Sequence, residues 1–81
     1  MRIAVCDDDE TAVSFLRELI ETYPKQKLCA DGYSSGEDLL RSGHVYDLIF
    51  LDIDMRGIDG IETARRIRVH DRKVKLSLIH I

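Results

Sequence analysis

The sequence has no tryptophan, one proline and only two cysteines, and its apolar residues are scattered in short runs. Each scarcity excludes something. Cys6 and Cys29 lie in apolar runs without CxxC or ligand-like spacing. A disulfide framework is therefore excluded, and both thiols are expected to be reduced core residues. No apolar run approaches the ~18 residues of a membrane span. The opening Met1-Arg2-Ile3-Ala4-Val5-Cys6 turns acidic too soon for a signal peptide, so the cytoplasm is the expected compartment and no membrane partner is expected. Repeats, low-complexity tracts and linkers are also absent, and 81 residues hold one core at most. A chain of this size buries about 60–65% of its unfolded surface, so an incomplete sheet would sit near the stability threshold.

Charge of one sign is scarce in each part of the chain. Residues 1–62 carry 14 acids and 6 bases, whereas residues 63–81 carry 6 bases and a single acid, Asp71, within a net charge of −3. Neither interleaved aromatics nor a nucleic-acid motif accompanies the basic end, which therefore reads as a solvated helix face.

What is present alternates between strand and helix patterns. Ile3–Cys6 reads as a strand buried on both faces. Thr11–Tyr23 carries Val13, Leu16, Leu19, Ile20 and Tyr23 at helical spacing and stops at Pro24. Gln26–Ala30 is a weaker strand. Ser34 with Glu37 and Ser35 with Asp38 are overlapping capping-box candidates for a short helix that Gly43 ends. Leu48–Leu51 is the strongest strand and runs into the acidic loop Asp52–Gly60. A third helix follows, with Ile61, Ala64 and Ile67 facing inward and a Glu62–Arg66 pair at i,i+4. Residues 74–81 are a candidate fourth strand. This order predicts an α/β fold, a doubly wound parallel sheet of three βα units plus that strand, over a single domain, 1–81.

Parallel strands joined by right-handed crossovers bring the loops after the first and third strands to one sheet edge. Asp7 and Asp8 meet Asp52 there, at the point where the winding reverses and open α/β sheets bind ligands. Three carboxylates in one crevice repel, at about 4 kcal/mol for a pair ~4 Å apart at an effective dielectric of 20. A cation offsets that repulsion, and all-oxygen ligands suit Mg²⁺ or Mn²⁺. The alternative for any single Asp is a solvated loop acid.

Other chemistries fit Asp52–Gly60 less well. An EF-hand loop needs Asp or Asn at Arg56, Glu at Thr63 and a helix beforehand. A haloacid-dehalogenase-type nucleophile loop needs Thr soon after Asp54 and a catalytic domain downstream, whereas Met55-Arg56 intervene. The whole chain resembles instead the receiver domain of bacterial two-component response regulators. The resemblance lies in Ile3-Ala4-Val5-Cys6-Asp7-Asp8-Asp9-Glu10, in Tyr33-Ser34-Ser35-Gly36-Glu37-Asp38-Leu39-Leu40, and in Tyr46-Asp47-Leu48-Ile49-Phe50-Leu51-Asp52-Ile53-Asp54-Met55 through Asp59-Gly60-Ile61-Glu62. The Cys-Asp-Asp-Asp opening and Asp-Ile-Asp-Met stretch are most similar to regulators with a LytTR-type DNA-binding output domain.

The resemblance implies a flavodoxin-like fold, with Asp52 as phosphoacceptor and Asp7 and Asp8 as the acidic pair holding Mg²⁺ or Mn²⁺. Asp8 and Asp52 would contact the ion, Asp7 would act through water, and the Asp54 backbone carbonyl would be a further ligand. The implied partner is a sensor histidine kinase. DNA would be reached only through an output domain outside this chain, and the parent could form a homodimer. The chain would be a phosphoacceptor rather than an enzyme.

Pro is usual where Arg56 stands, and Arg56 places a cation at the crevice mouth instead. A receiver resembles five βα units. Its Ser or Thr after the fourth strand and Lys after the fifth find no positional match in Ser77, Lys73 or Lys75, and losing such a charge stabiliser typically costs about 10²–10³ in rate. The chain is therefore expected to be the N-terminal part of a receiver. An inactive pseudo-receiver with at most an interaction role is the alternative. Ser77-Leu78-Ile79-His80-Ile81 resembles translated library-adapter sequence, so residues 76–81 are expected to be a foreign tail, against the reading of an ordinary strand. His44 and His70 read as surface loop residues rather than ligands, and His80 has no partner constellation.

Overall fold

A computed structural model describes residues 1–79 of the chain. Its elements, in order, are β1 (Arg2–Cys6), α1 (Glu10–Glu21), β2 (Cys29–Tyr33), α2 (Gly36–Ser42), β3 (Leu48–Asp52), α3 (Gly60–His70) and β4 (Lys75–Ile79). The strands form one fully parallel sheet in the order β2-β1-β3-β4. This is the doubly wound, flavodoxin-like α/β arrangement, and the winding reverses between β1 and β3. No helix among the described residues is long and apolar enough to cross a membrane.

Alternation along the strands sorts the core into two layers. Ile3 and Val5 of β1 join Ile20, Ala30, Leu48 and Phe50 beneath α1. Ala4 and Cys6 join Ile49, Leu51, Leu39 and Val74 on the face that carries α2 and α3. Polar contacts tie β2 to the start of β1 and to the residue that leads into β3. The Tyr46 hydroxyl, paired with that of Tyr33, donates to Asp31 at 2.7 Å, and Arg2 reaches the same carboxylate at 3.1 Å. The Tyr46 bond is the main reason the Asp31 carboxyl lies below its usual range.

Helix ends follow local chemistry. Asp9 caps α1 through the Thr11 amide, and Ser35 caps α2 by accepting from the Asp38 amide at 3.1 Å. Gly43 closes α2 in the left-handed region at φ 69°. In α3, Glu62 accepts from both Arg65 and Arg66, which lowers its pKa to about 2, and Arg68 in the last turn complements the helix C-terminus.

Several expectations are corrected. The second strand is Cys29–Tyr33, not Gln26–Ala30. Its edge position leaves Cys29 exposed, so only Cys6 is a core thiol. Leu19 on α1, Tyr23 just past its end and Ile61 on α3 are exposed, while Thr63 is fully buried. Thr63 tolerates this because its hydroxyl donates to the Asp59 carbonyl at 2.7 Å. His70 ends α3 instead of lying in a loop. Of residues 76–81, Leu76–Ile79 belong to β4, in register with β3 from Leu48–Lys75 to Asp52–Ile79. His80 and Ile81 lie outside the described residues, as does that part of the expected tail.

Candidate functional site

The crevice is built from strand ends. Cys6 pairs with Leu51, so the residues that follow on β1 and β3 emerge side by side. The Asp7 amide donates to the Tyr33 carbonyl at 3.1 Å, tying the first loop to β2, and the Ile53 amide donates to the Ile79 carbonyl at 2.8 Å, tying the second to β4. Asp7, Asp8 and Asp52 each offer a carboxylate oxygen, and these oxygens lie within 4.8 Å of one another. Asp7 and Asp52 are 2% and 6% exposed.

The hydrogen bonds around these groups are local and incomplete. Asp7 Oδ1 accepts from the Asp9 amide at 3.0 Å, while its Oδ2 is buried without a partner among the described residues. Asp52 Oδ1 accepts from the Asp54 amide at 3.3 Å. Burial is the main cause that pushes the Asp7 carboxyl up; Asp52 and Asp8 act in the same sense, against the Asp9 amide. A buried acceptor with no donor, facing two further carboxylates, is what a hard divalent cation satisfies, and the all-oxygen set fits Mg²⁺. Asp54 is exposed, in the same loop, and its carboxylate stays outside the cluster.

The loop after β3 is shaped by one residue whose part in it was not expected, Glu37, and by Gly60, Asp59 and Arg56 of the loop itself. Glu37 crosses from α2 and its Oε2 accepts from the Ile58 amide at 3.4 Å, beneath Gly57 at φ 77°. A Cβ on Gly60 would collide with the Asp52 carbonyl, so α3 starts hard against the end of β3. Asp59 caps α3 through the Glu62 amide at 2.8 Å. Arg56 donates its amide to Asp8 Oδ2 at 3.1 Å and brings its guanidinium Nε to 3.5 Å of the same oxygen. Ser77 lies within β4 opposite Phe50, and Lys73 and Lys75 sit at the far end of the sheet, so the structure brings none of them to the crevice. The loop follows a strand, not a helix, which removes the EF-hand reading.

A sequence model of the response regulator receiver domain matches residues 3–80. Among solved structures, the response regulator TrrA of Thermotoga maritima, crystallised with Mg²⁺-BeF, is similar with a TM-score of 0.83 and 34% identity, over 93% of this chain and 64% of that one. The complex of the histidine kinase ThkA with TrrA matches with a TM-score of 0.86 and 33% identity, over 98% of this chain and 67% of that one. Curated relatives include probable histidine kinase 3 of Oryza sativa subsp. japonica, 35% identical over 88% of this chain. Virulence sensor protein BvgS of Bordetella pertussis is 34% identical over 84% of it. The chain spans 7% of the rice protein and 5% of BvgS. With the profile running through both acidic loops and the sheet superposing on solved receivers, the chain belongs to the response regulator receiver domain family.

Proposed function

We propose that this receiver accepts a phosphoryl group from a sensor histidine kinase on Asp52. The observation that carries the reading is the convergence of Asp7, Asp8 and Asp52 within 4.8 Å at the switch point of the sheet. A carboxylate oxygen of Asp52 attacks the phosphorus of a phosphohistidine. The O–P bond forms as the N–P bond breaks, and the electron pair of that bond returns to the imidazole, leaving an acyl phosphate on Asp52. The Asp54 amide holds Asp52 Oδ1, so the nucleophile is oriented before the donor arrives. The Asp8 and Asp52 carboxylates, the Asp54 backbone carbonyl and Asp7 would hold Mg²⁺, which when bound neutralises carboxylate repulsion and the charge on the phosphoryl oxygens.

The kinase partner is supported by the ThkA–TrrA complex, in which a similar receiver sits with its kinase. A transcription-regulating parent, with DNA reached through an output domain, rests on the sequence resemblance at Cys6–Asp9 and Asp52–Met55, and a cytoplasmic location rests on two cysteines without disulfide spacing. The reading is tested by incubating the chain with Mg²⁺ and acetyl phosphate and measuring intact mass. One phosphoryl group is expected on the wild type, and none with Asp52→Asn or with chelator. Equal masses for wild type and Asp52→Asn would refute it.

A further inference from the structure

We propose that Arg56 is an internal competitor for the divalent cation, holding Asp8 while the crevice is free of metal and thereby setting how tightly it takes Mg²⁺. The inference rests on the reading of Asp7, Asp8 and Asp52 as the cation site. Both donors of Arg56, its amide at 3.1 Å and its Nε at 3.5 Å, converge on one oxygen, Asp8 Oδ2. Among the described residues the other oxygen, Oδ1, accepts no hydrogen bond, so the carboxylate is held by one side only.

The two partners differ in freedom. The Asp8 side chain is 27% exposed and fixed at the crevice, whereas that of Arg56 is 89% exposed and can leave it. The hollow at this mouth is lined by Asp8, Asp9, Glu10, Thr11, Ser34, Ser35 and Arg56, so the guanidinium is the one cation in an acidic rim among the described residues. In the metal-free crevice it offsets part of the carboxylate repulsion. A dication arriving at Asp8 meets that positive charge, and the guanidinium swings into solvent at little entropic cost because an exposed arm gains rotamers. The amide stays, because it belongs to the loop. The guanidinium therefore weakens cation binding, and the amide keeps Asp8 aimed.

The test is calorimetric titration of Mg²⁺ into the 81-residue chain and its Arg56→Ala, Arg56→Glu and Arg56→Lys variants, at low and high KCl, with thermal melts to verify folding. Arg56→Ala is expected to tighten the Kd by about two- to fivefold at low salt, the range of an exposed ion pair. Arg56→Glu is expected to tighten it further, Arg56→Lys to stay near wild type, and the differences to shrink in high KCl. Equal affinities across the set would overturn the role of Arg56 and leave the cation site standing. Weaker binding by Arg56→Ala would also overturn it, by making the arginine a support of the site. Binding of Mg²⁺ by none of the folded proteins would overturn the site and the competition together.

Discussion

Asp7 is held in a position that a carboxylate resists: it is 2% exposed, with one oxygen unpartnered and two acids beside it. Its pKa is raised, chiefly by burial, so the folded chain binds this proton more tightly than the unfolded chain does. Stability contributed at this position is therefore lost as pH rises from the ordinary aspartate range through the raised value. Asp7→Asn keeps the acceptor for the Asp9 amide and turns the orphan oxygen into a donor facing carboxylates. We expect it to raise the metal-free melting temperature at neutral pH by about 5 °C, to flatten the pH dependence, and to abolish further stabilisation by Mg²⁺. Melting curves across pH, with and without Mg²⁺, check this. The two cysteines give a second prediction. The Cys6 thiol is buried against Met55 and pushed up to about 12, chiefly by desolvation, while Cys29 is exposed. A maleimide should add once to the native chain and twice in denaturant, as read by intact mass. At this scale the acids of the site are legible because they stand where an apolar strand run ends, Asp7 and Asp8 after Cys6 and Asp52 after Leu51. The bonds from Ile58 to Glu37 and from Arg56 to Asp8 join residues 21 and 48 positions apart, and no local pattern announces them.

Elements were legible where periodicity and caps agree. The Ser35 cap, the Gly43 stop and the Glu62–Arg66 pair stand as the spacing implies, β1, β3 and α1 fall within two residues of expectation, and α3 follows the acidic loop as expected. β2 was misplaced because an edge strand beginning at an exposed cysteine and holding Asp31 and Gly32 carries little strand signal, while the apolar cue at Leu28 lies before it. Leu19 and Ile61 face solvent because the buried stripe of each helix is narrower than its apolar content, and Tyr23 does so because α1 ends at Glu21, before it. Two glycines separate two kinds of constraint. Gly43 has φ 69° with open space around it, whereas Gly60 has no room for a Cβ beside the Asp52 carbonyl. Gly43→Ala should cost about 1 kcal/mol, a backbone effect alone. Gly60→Ala should cost about 1–3 kcal/mol and also slow phosphorylation, because relieving the overlap moves the chain at Asp52. Denaturant melts and phosphorylation rates of the two variants distinguish these outcomes.

Across the whole molecule, stability and site share one frame. β1 and β3 are interior strands whose registers set the crevice, while β2 and β4 are edges of the sheet. Native-state amide exchange should therefore be slowest in β1 and β3, on the order of tenfold or more slower than in β2 and β4. Equal protection across the sheet would contradict this gradient. The doubly wound topology was legible from the strand–helix alternation, because handed crossovers leave few alternatives once four strands are parallel. The central claim is that this frame presents Asp52, and no neighbouring acid, to a phosphoryl donor. The most direct test is to phosphorylate the chain with Mg²⁺ and acetyl phosphate, reduce with borohydride, which converts an aspartyl phosphate to homoserine, and sequence the tryptic peptide Ser42–Arg56 by mass spectrometry. That peptide holds Asp47, Asp52 and Asp54, so each can be distinguished. Homoserine is expected at position 52 alone; homoserine at 47 or 54, or none in this peptide, would contradict Asp52 as the phosphoacceptor.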